Sequence, residues 1–177
     1  MSDSLPVFRY HPDPLATGSI VKSDATCECC QKPRGYIYAS LPYGRRDVEF
    51  VCPWCIADGS ANRRLGASFV DDAPLLDAGV PVAVAEEVAL RTPGYESWQQ
   101  EEWMACCGDA CEYHGDARLS DLQVLDRVAV SRISEDTRFS VEDLEYFIEH
   151  YTPKGSPAFY KFRCRHCGAL KFNADCH

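Results

Sequence analysis

Nowhere does the chain carry a long apolar run, and its first residues, "MSDSLPVFRYHPDP", hold neither a basic n-region nor an apolar stretch of about 7 to 15 residues, so the reading excludes a signal peptide and a spanning helix. No membrane partner and a cytoplasmic location are the resulting expectations. Basic residues are also scarce. Eighteen Lys and Arg against 27 Asp and Glu give a formal net charge of −9, and the basic residues that exist fall into three short clusters, "GRR" at 44–46, "NRR" at 62–64 and "YKFRCRH" at 160–166. A protein that grips nucleic acid needs a basic face to neutralise phosphates and release counterions, and these clusters read instead as solvated loops and strand faces. There is no HExxH helix motif, which weakens a zinc hydrolase reading.

What the chain has in quantity is cysteine. Eleven thiols in 177 residues, an odd number, make a poor closed disulfide framework in a reducing compartment, so metal binding is the leading account. Hydrophobic residues at 46% and aromatics at 11% suffice for a modest globular core.

The cysteines form two groups. In the first, Cys27 and Cys30 of "TCECCQKPRG" are followed, after 21 intervening residues, by Cys52 and Cys55 of "CPWC". This is the CxxC, spacer, CxxC pattern of a zinc site, with a spacer slightly longer than the usual window of about 15 to 20 residues. Between the pairs, "GYIYAS" and "RDVEFV" read as two strands joined by the "LPYG" turn, the layout of a zinc ribbon. A CxxC in a tight turn aims both sulfurs to one side, and backbone N–H groups can donate to them. CPWC could instead be a redox dithiol, but that chemistry uses the N-terminus of a long helix in a βαβ unit, and "IADGSANRRLG" is interrupted by Gly59 and Gly66.

The second group is split. "MACCGDACEYHG" holds Cys106, Cys107, Cys111 and His114, and "FRCRHCGALKF" holds Cys164, His166 and Cys167 between two alternating strands. Cys107 and Cys111 are the preferred partners for Cys164 and Cys167, because a Gly-Asp turn lies between them, with Cys106 or His114 as a replacement for one. The expected ligand set is therefore Cys27, Cys30, Cys52, Cys55, Cys107, Cys111, Cys164 and Cys167, holding two zinc ions, although four thiolates suit iron as well. Cys29, Cys106 and Cys176 are left over as small buried or incidental residues, and His177 at the terminus is a poor ligand.

Helices are expected over about 83–91, stopped by Thr92, Pro93 and Gly94; from a capping box of Ser97 and Gln100; from Ser120 and Gln123; and from Ser140, with Val141, Leu144, Phe147, Ile148 and Tyr151 on one face. The fold class is thus α+β: zinc-ribbon-like β-hairpin units with several short helices. Residues 1–66 form an N-terminal zinc-ribbon-like unit, and residues 67–177 a helical region closed by a second split zinc site and a C-terminal hairpin.

In combination, "FRYHPDPLATG", "CxCC" at Cys27–Cys30, "CPWCIADGSA", "RTPGYESWQQEEW" running into "CCGDAC", and "FRCRHCG" resemble the CbrC family of bacterial proteins over nearly the whole chain. The resemblance implies a bacterial stress-related protein associated with colicin tolerance, without a mechanism. It also supports the same eight cysteines as the framework, with Cys29 inside the family pattern and Cys106, Cys176 and His177 outside it.

Three functions compete. Two closed tetracysteine sites suit a structural zinc protein that binds another macromolecule, a protein rather than nucleic acid, through Tyr95, Trp98, Gln99, Gln100 and Trp103, where aromatic area meets amide hydrogen bonding. Equally, Trp98 and Trp103 could be core residues of an amphipathic helix. A zinc hydrolase would use His114 or His166 at an open site with Glu101, Glu102 or Asp109 as base. A nucleic-acid-binding ribbon is opposed by the charge. No catalytic residue is assigned.

Overall fold

The computed structural model describes residues 4–177. It is an α+β protein of short elements: β1 (Ile20–Lys22), β2 (Tyr36–Tyr38), α1 (Pro53–Ala57), α2 (Ser60–Leu65), α3 (Ala73–Asp77), α4 (Val82–Arg91), β3 (Ala105–Cys106), β4 (Asp109–Ala110), β5 (Glu112–Asp116), α5 (Leu119–Leu122), α6 (Arg127–Asp136), α7 (Val141–Glu149), β6 (Ala158–Arg163) and β7 (Leu170–Asp175). Among the described residues, no helix is long and apolar enough to cross a membrane.

The largest sheet is antiparallel, in the order β5-β6-β7. The period-2 alternation of "AFYKFR" gives β6 two buried faces. Tyr160 and Phe162 enter a core with Tyr10, Leu75, Val88, Tyr95, Trp103 and Tyr113. Phe159, with Phe172 and Ala174 of β7, enters a second core with Val130, Ile133 and Leu144 of α6 and α7. Fully burying an aliphatic side chain of this size contributes about 2 kcal/mol, which is how such short helices are held. A third core, around Phe8, Ile20, Tyr38, Val51, Ile56 and Phe69, includes Cys27, Cys52 and Cys55.

Two expected helices form, α4 with its predicted stop and α7 with its predicted start, although α7 ends at Glu149, before Tyr151. α4 stops at Arg91 before Thr92, and buries Ala85, Val88 and Ala89 at helical spacing. α7 starts at Ser140, whose Oγ accepts from Asp143 N while Asp143 Oδ2 accepts from Ser140 N. Two others differ. Residues 93–104 form no helix: Ser97 Oγ donates to Gln99 O instead of capping, and Gln99 N donates to the buried Asp175. The Ser120 start is replaced by the one-turn α5 and then α6, capped by Asp126, which accepts from Ala129 N.

The N-terminal hairpin is also rearranged. β2 pairs with β1 rather than with "RDVEFV". The latter forms no strand, because Glu28 takes up its backbone: Glu28 Oε1 accepts from Glu49 N and Phe50 N and Glu28 N donates to Phe50 O, leaving one bond to β2, from Tyr38 N to Val51 O.

Candidate metal centres

Two chain turns of the same construction supply half of each centre. In the first, Gln31 N donates to Cys27 O at 2.8 Å and Cys27 N donates to Lys32 O at 3.1 Å; in the second, Gly168 N donates to Cys164 O at 3.0 Å and Cys164 N to Ala169 O at 2.8 Å. Both turns put the residue after the second cysteine in the left-handed region, Gln31 at φ 58° and Gly168 at φ 73°. That closure folds C-x-x-C tightly enough to bring both sulfurs to one side.

The other halves differ. Cys52 caps α1, with Pro53 in the first turn, and Cys55 N and Ile56 N donate to Cys52 O. Proline suits this place because its missing N–H would have no partner there. Cys106 and Cys107 instead lie at the end of the β3-β4 hairpin, where Cys107 (φ 54°) and Gly108 (φ 71°) form a two-residue turn with both central residues left-handed.

These four supports assemble two clusters, Cys27, Cys30, Cys52 and Cys55, and Cys106, Cys107, Cys164 and Cys167, the sulfurs of each lying within 4.8 Å of one another. Cys27 and Cys55 are 3.9 Å apart and Cys30 and Cys52 3.8 Å; Cys106 is 3.8 Å from both Cys107 and Cys167. Four convergent thiols match the donor set of a tetrahedral metal site, so each cluster could hold a metal ion.

Seven of the eight cysteines expected as ligands lie in these clusters. Cys111 does not, and Cys106 takes its place. The correction follows from the turn: a two-residue hairpin leaves Cys106 and Cys107 at the tip, while Cys111 lies farther along the chain, its N donating to Met104 O and its O accepting from Trp103 Nε1, buried in the aromatic core. The two-residue turn motif "CCGD" is the sequence signal that points to Cys106. Cys29 stays outside the first cluster, its thiol 3.4 Å from Ser60 Oγ. His114 faces Glu112, and His166 Nε2 meets Asp109 Oδ2 at 2.9 Å.

Electrostatics within each cluster are uneven. Hydrogen bonding from the Cys52 thiol, then from the backbone N–H groups of Cys52, Cys30 and Cys29, holds the Cys27 thiol down at about 4 against the opposing effect of burial. Burial pushes Cys164 up, but the Cys167 and His166 backbone N–H groups and neighbouring thiols outweigh it and bring it to about 6. Donation to Cys27 together with burial raises Cys52, and burial raises Cys55 to about 12 and Cys106 well above its ordinary value. The protein thus favours the thiolate at Cys27 and at Cys164 and disfavours it at Cys52, Cys55 and Cys106, so a cation bound at those thiols would displace their protons.

Beside the second cluster, Tyr10 OH donates to the buried Asp109 at 2.8 Å, and Arg165 lies 3.5 Å from the same carboxylate. Burial works against the charge on Asp109, and the donors Tyr10 and His166 overcome it, holding its carboxyl below the usual range. Nothing local in the sequence links Tyr10 to Asp109, 99 positions away.

The residues expected to form a partner surface separate. Tyr95 and Trp103 are core residues, Tyr95 stacked on Tyr113 with centroids 4.4 Å apart. Trp98 is exposed, its Nε1 donating to Gly155 O; Gln99 is tied to Asp175 and to Cys176 O, and Gln100 Nε2 donates to Asp71. Of the acids, Glu101 is buried with Oε2 accepting from Tyr43 OH at 2.5 Å and, among the described residues, with no hydrogen-bond partner for Oε1, and burial raises its pKa.

The profile of an uncharacterised protein family, UPF0167, matches residues 5–176. The chain belongs to the UPF0167 family. A UPF0167 protein of Pseudomonas aeruginosa is 49% identical over 177 residues, covering 99% of each chain. UPF0167 proteins of Mycobacterium bovis and Mycobacterium tuberculosis are each 41% identical over 175 residues, covering 97% of this chain and 93% of theirs. No solved structure matches this UPF0167 chain.

Proposed function

We propose that this is a zinc-binding protein whose two centres are structural, and that it acts by binding another macromolecule rather than by catalysis. The observation that carries the reading is the pair of four-sulfur clusters, each compact enough for one tetrahedral ion. Cys27, Cys30, Cys52 and Cys55 would hold one zinc, and Cys106, Cys107, Cys164 and Cys167 the other. Four thiolates leave no coordination position for water, which is how structural zinc sites differ from hydrolytic ones. Zinc bound there supplies folding free energy by tying turns that are far apart in sequence.

A net charge of −9 favours a protein partner over nucleic acid. The exposed Trp98, with Gln99 and Gln100 beside it, is the part of the expected contact surface that remains accessible. A cytoplasmic, stress-related role in colicin tolerance, as the CbrC resemblance implies, belongs to the same proposal.

Native mass spectrometry of protein expressed without added metal tests it. The expected mass is the chain plus two zinc ions, and stripping both with acid and chelator is expected to abolish the cooperative unfolding transition. Iron in place of zinc would change the metal assignment; a metal-free folded chain would overturn the reading.

A further inference from the structure

The two centres share donor chemistry and differ in access. In the first, Cys27, Cys52 and Cys55 are buried and Cys30 is half-buried, within a core that includes Val48, Val51, Ile56 and Phe69. In the second, Cys107 and Cys167 are exposed, Cys106 is half-buried and only Cys164 is buried. Its sulfurs are carried on the tips of two hairpins, β3-β4 and β6-β7, where those of Cys107 and Cys167 meet solvent. Oxidants of small size reach a thiolate according to its exposure, so the same four-thiolate chemistry is protected in one place and open in the other.

We propose that the second centre is a site of reversible oxidation by hydroperoxides, closing a disulfide between Cys106 and Cys167 and discharging its metal while the first centre keeps its own. This rests on the zinc reading above. The exposed Cys167 thiolate attacks one oxygen of the hydroperoxide: the S–O bond forms, the O–O bond breaks, and the departing oxygen takes a proton from solvent. Cys106, whose sulfur is 3.8 Å away, then attacks the sulfenic sulfur; the S–S bond forms, the S–O bond breaks, and hydroxide leaves to be protonated. Two thiolates lose two electrons in all, hydrogen peroxide becomes two waters, and the metal stays divalent.

Cys107 is as close to Cys106, but these two are sequence neighbours on a two-residue turn, and bridging them would distort the peptide between them. Cys107 and Cys164 alone remain for the ion after the disulfide forms, half of a tetrahedral set. The new covalent link joins the same two hairpins, so the fold persists while a local charge of about −2 is lost.

The test uses the zinc-loaded full chain treated with graded hydrogen peroxide, followed by native mass spectrometry and by peptide mapping after alkylation of free thiols. The expected product holds one zinc instead of two, is two hydrogens lighter than the fully reduced chain carrying that single zinc, maps to a Cys106–Cys167 disulfide, and regains its zinc on thiol reduction with the metal present. Release from the second centre should be about tenfold faster or more than from the first. The double variant Cys29→Ser, Cys176→Ser leaves both centres intact and should release one zinc at the same rate. Equal release from both centres, a disulfide at Cys27, Cys30, Cys52 or Cys55, or a peroxide-treated chain that keeps both ions would overturn the proposal. A chain that carries no zinc before peroxide is added fails at the earlier step, and sinks the functional reading and this one together.

Discussion

At the scale of single residues, chemistry is decided by where a side chain lies as much as by what it is. Cys106 and Cys111 make the point, since both are thiols in one short segment and only Cys106 reaches the second cluster. Replacing Cys106 by Ser is expected to reduce the metal content from two ions to one. Cys111→Ser should keep both ions and cost about 1 to 3 kcal/mol of stability, because a hydroxyl would enter an apolar core; metal analysis with denaturant unfolding separates the two variants. His11 is a second case. It is fully buried, its Nδ1–H donating to Pro93 O at 2.8 Å and Nε2 lying 2.7 Å from Thr17 Oγ1. Burial lowers its pKa from 6.5 to about 4, overcoming the opposing pull of the Pro93 carbonyl and Asp13, with His114 adding to the depression. A histidine depressed in the folded state binds its proton more readily unfolded, so its contribution is full above pH 6.5 and is lost as the pH falls towards about 4, a total of about 3 kcal/mol. NMR titration should find the His11 ring neutral at pH 5.5; a ring protonated there would contradict the burial argument.

At the scale of elements, capping and close approach set the boundaries. The Ser140 and Asp143 box that opens α7 is local, so Ser140→Ala is expected to cost about 1 kcal/mol. Gly94 is constrained from a distance. A Cβ built there would lie 2.1 Å from Phe69 O and 2.8 Å from Tyr38 OH, both belonging to the N-terminal part of the chain. Backbone cannot yield cheaply at that separation, so Gly94→Ala should cost about 2 kcal/mol or more. Thermal unfolding should therefore rank Gly94→Ala below Ser140→Ala, and the reverse order would show that the segment is looser than this packing requires. The contrast also explains which helices could be read from the sequence. α4 brings its own stop and α7 its own start, each with an apolar face, whereas the expected helix after Ser97 had a box but its backbone is held by Asp175 and its aromatics are drawn into separate surroundings.

At the scale of the whole molecule, short elements are organised by cores that cross the sheet and by turns gathered at two clusters. β6 belongs to two cores at once, through Phe162 on one face and Phe159 on the other. Neither cluster is local, since the first joins Cys27 to Cys55 and the second Cys106 to Cys167. Metal removal should therefore lower the stability of the whole chain rather than fray one end. Hydrogen exchange on the stripped protein would detect this as lost protection in β6 as well as in the residues around Cys27.

By itself the sequence determined the α+β class, the C-terminal hairpin, the stop of α4, the start of α7, and the gathering of Cys27, Cys30, Cys52 and Cys55, because each is written in spacing that a tight turn, a strand or a helix converts directly into geometry. Only the tertiary structure decided that β2 pairs with β1, that Cys106 displaces Cys111, that Tyr95 and Trp103 are buried while Trp98 is not, and that one cysteine cluster is enclosed and the other open. Each of these depends on what lies opposite a residue across the fold, a neighbour that periodicity and spacing along the chain do not specify.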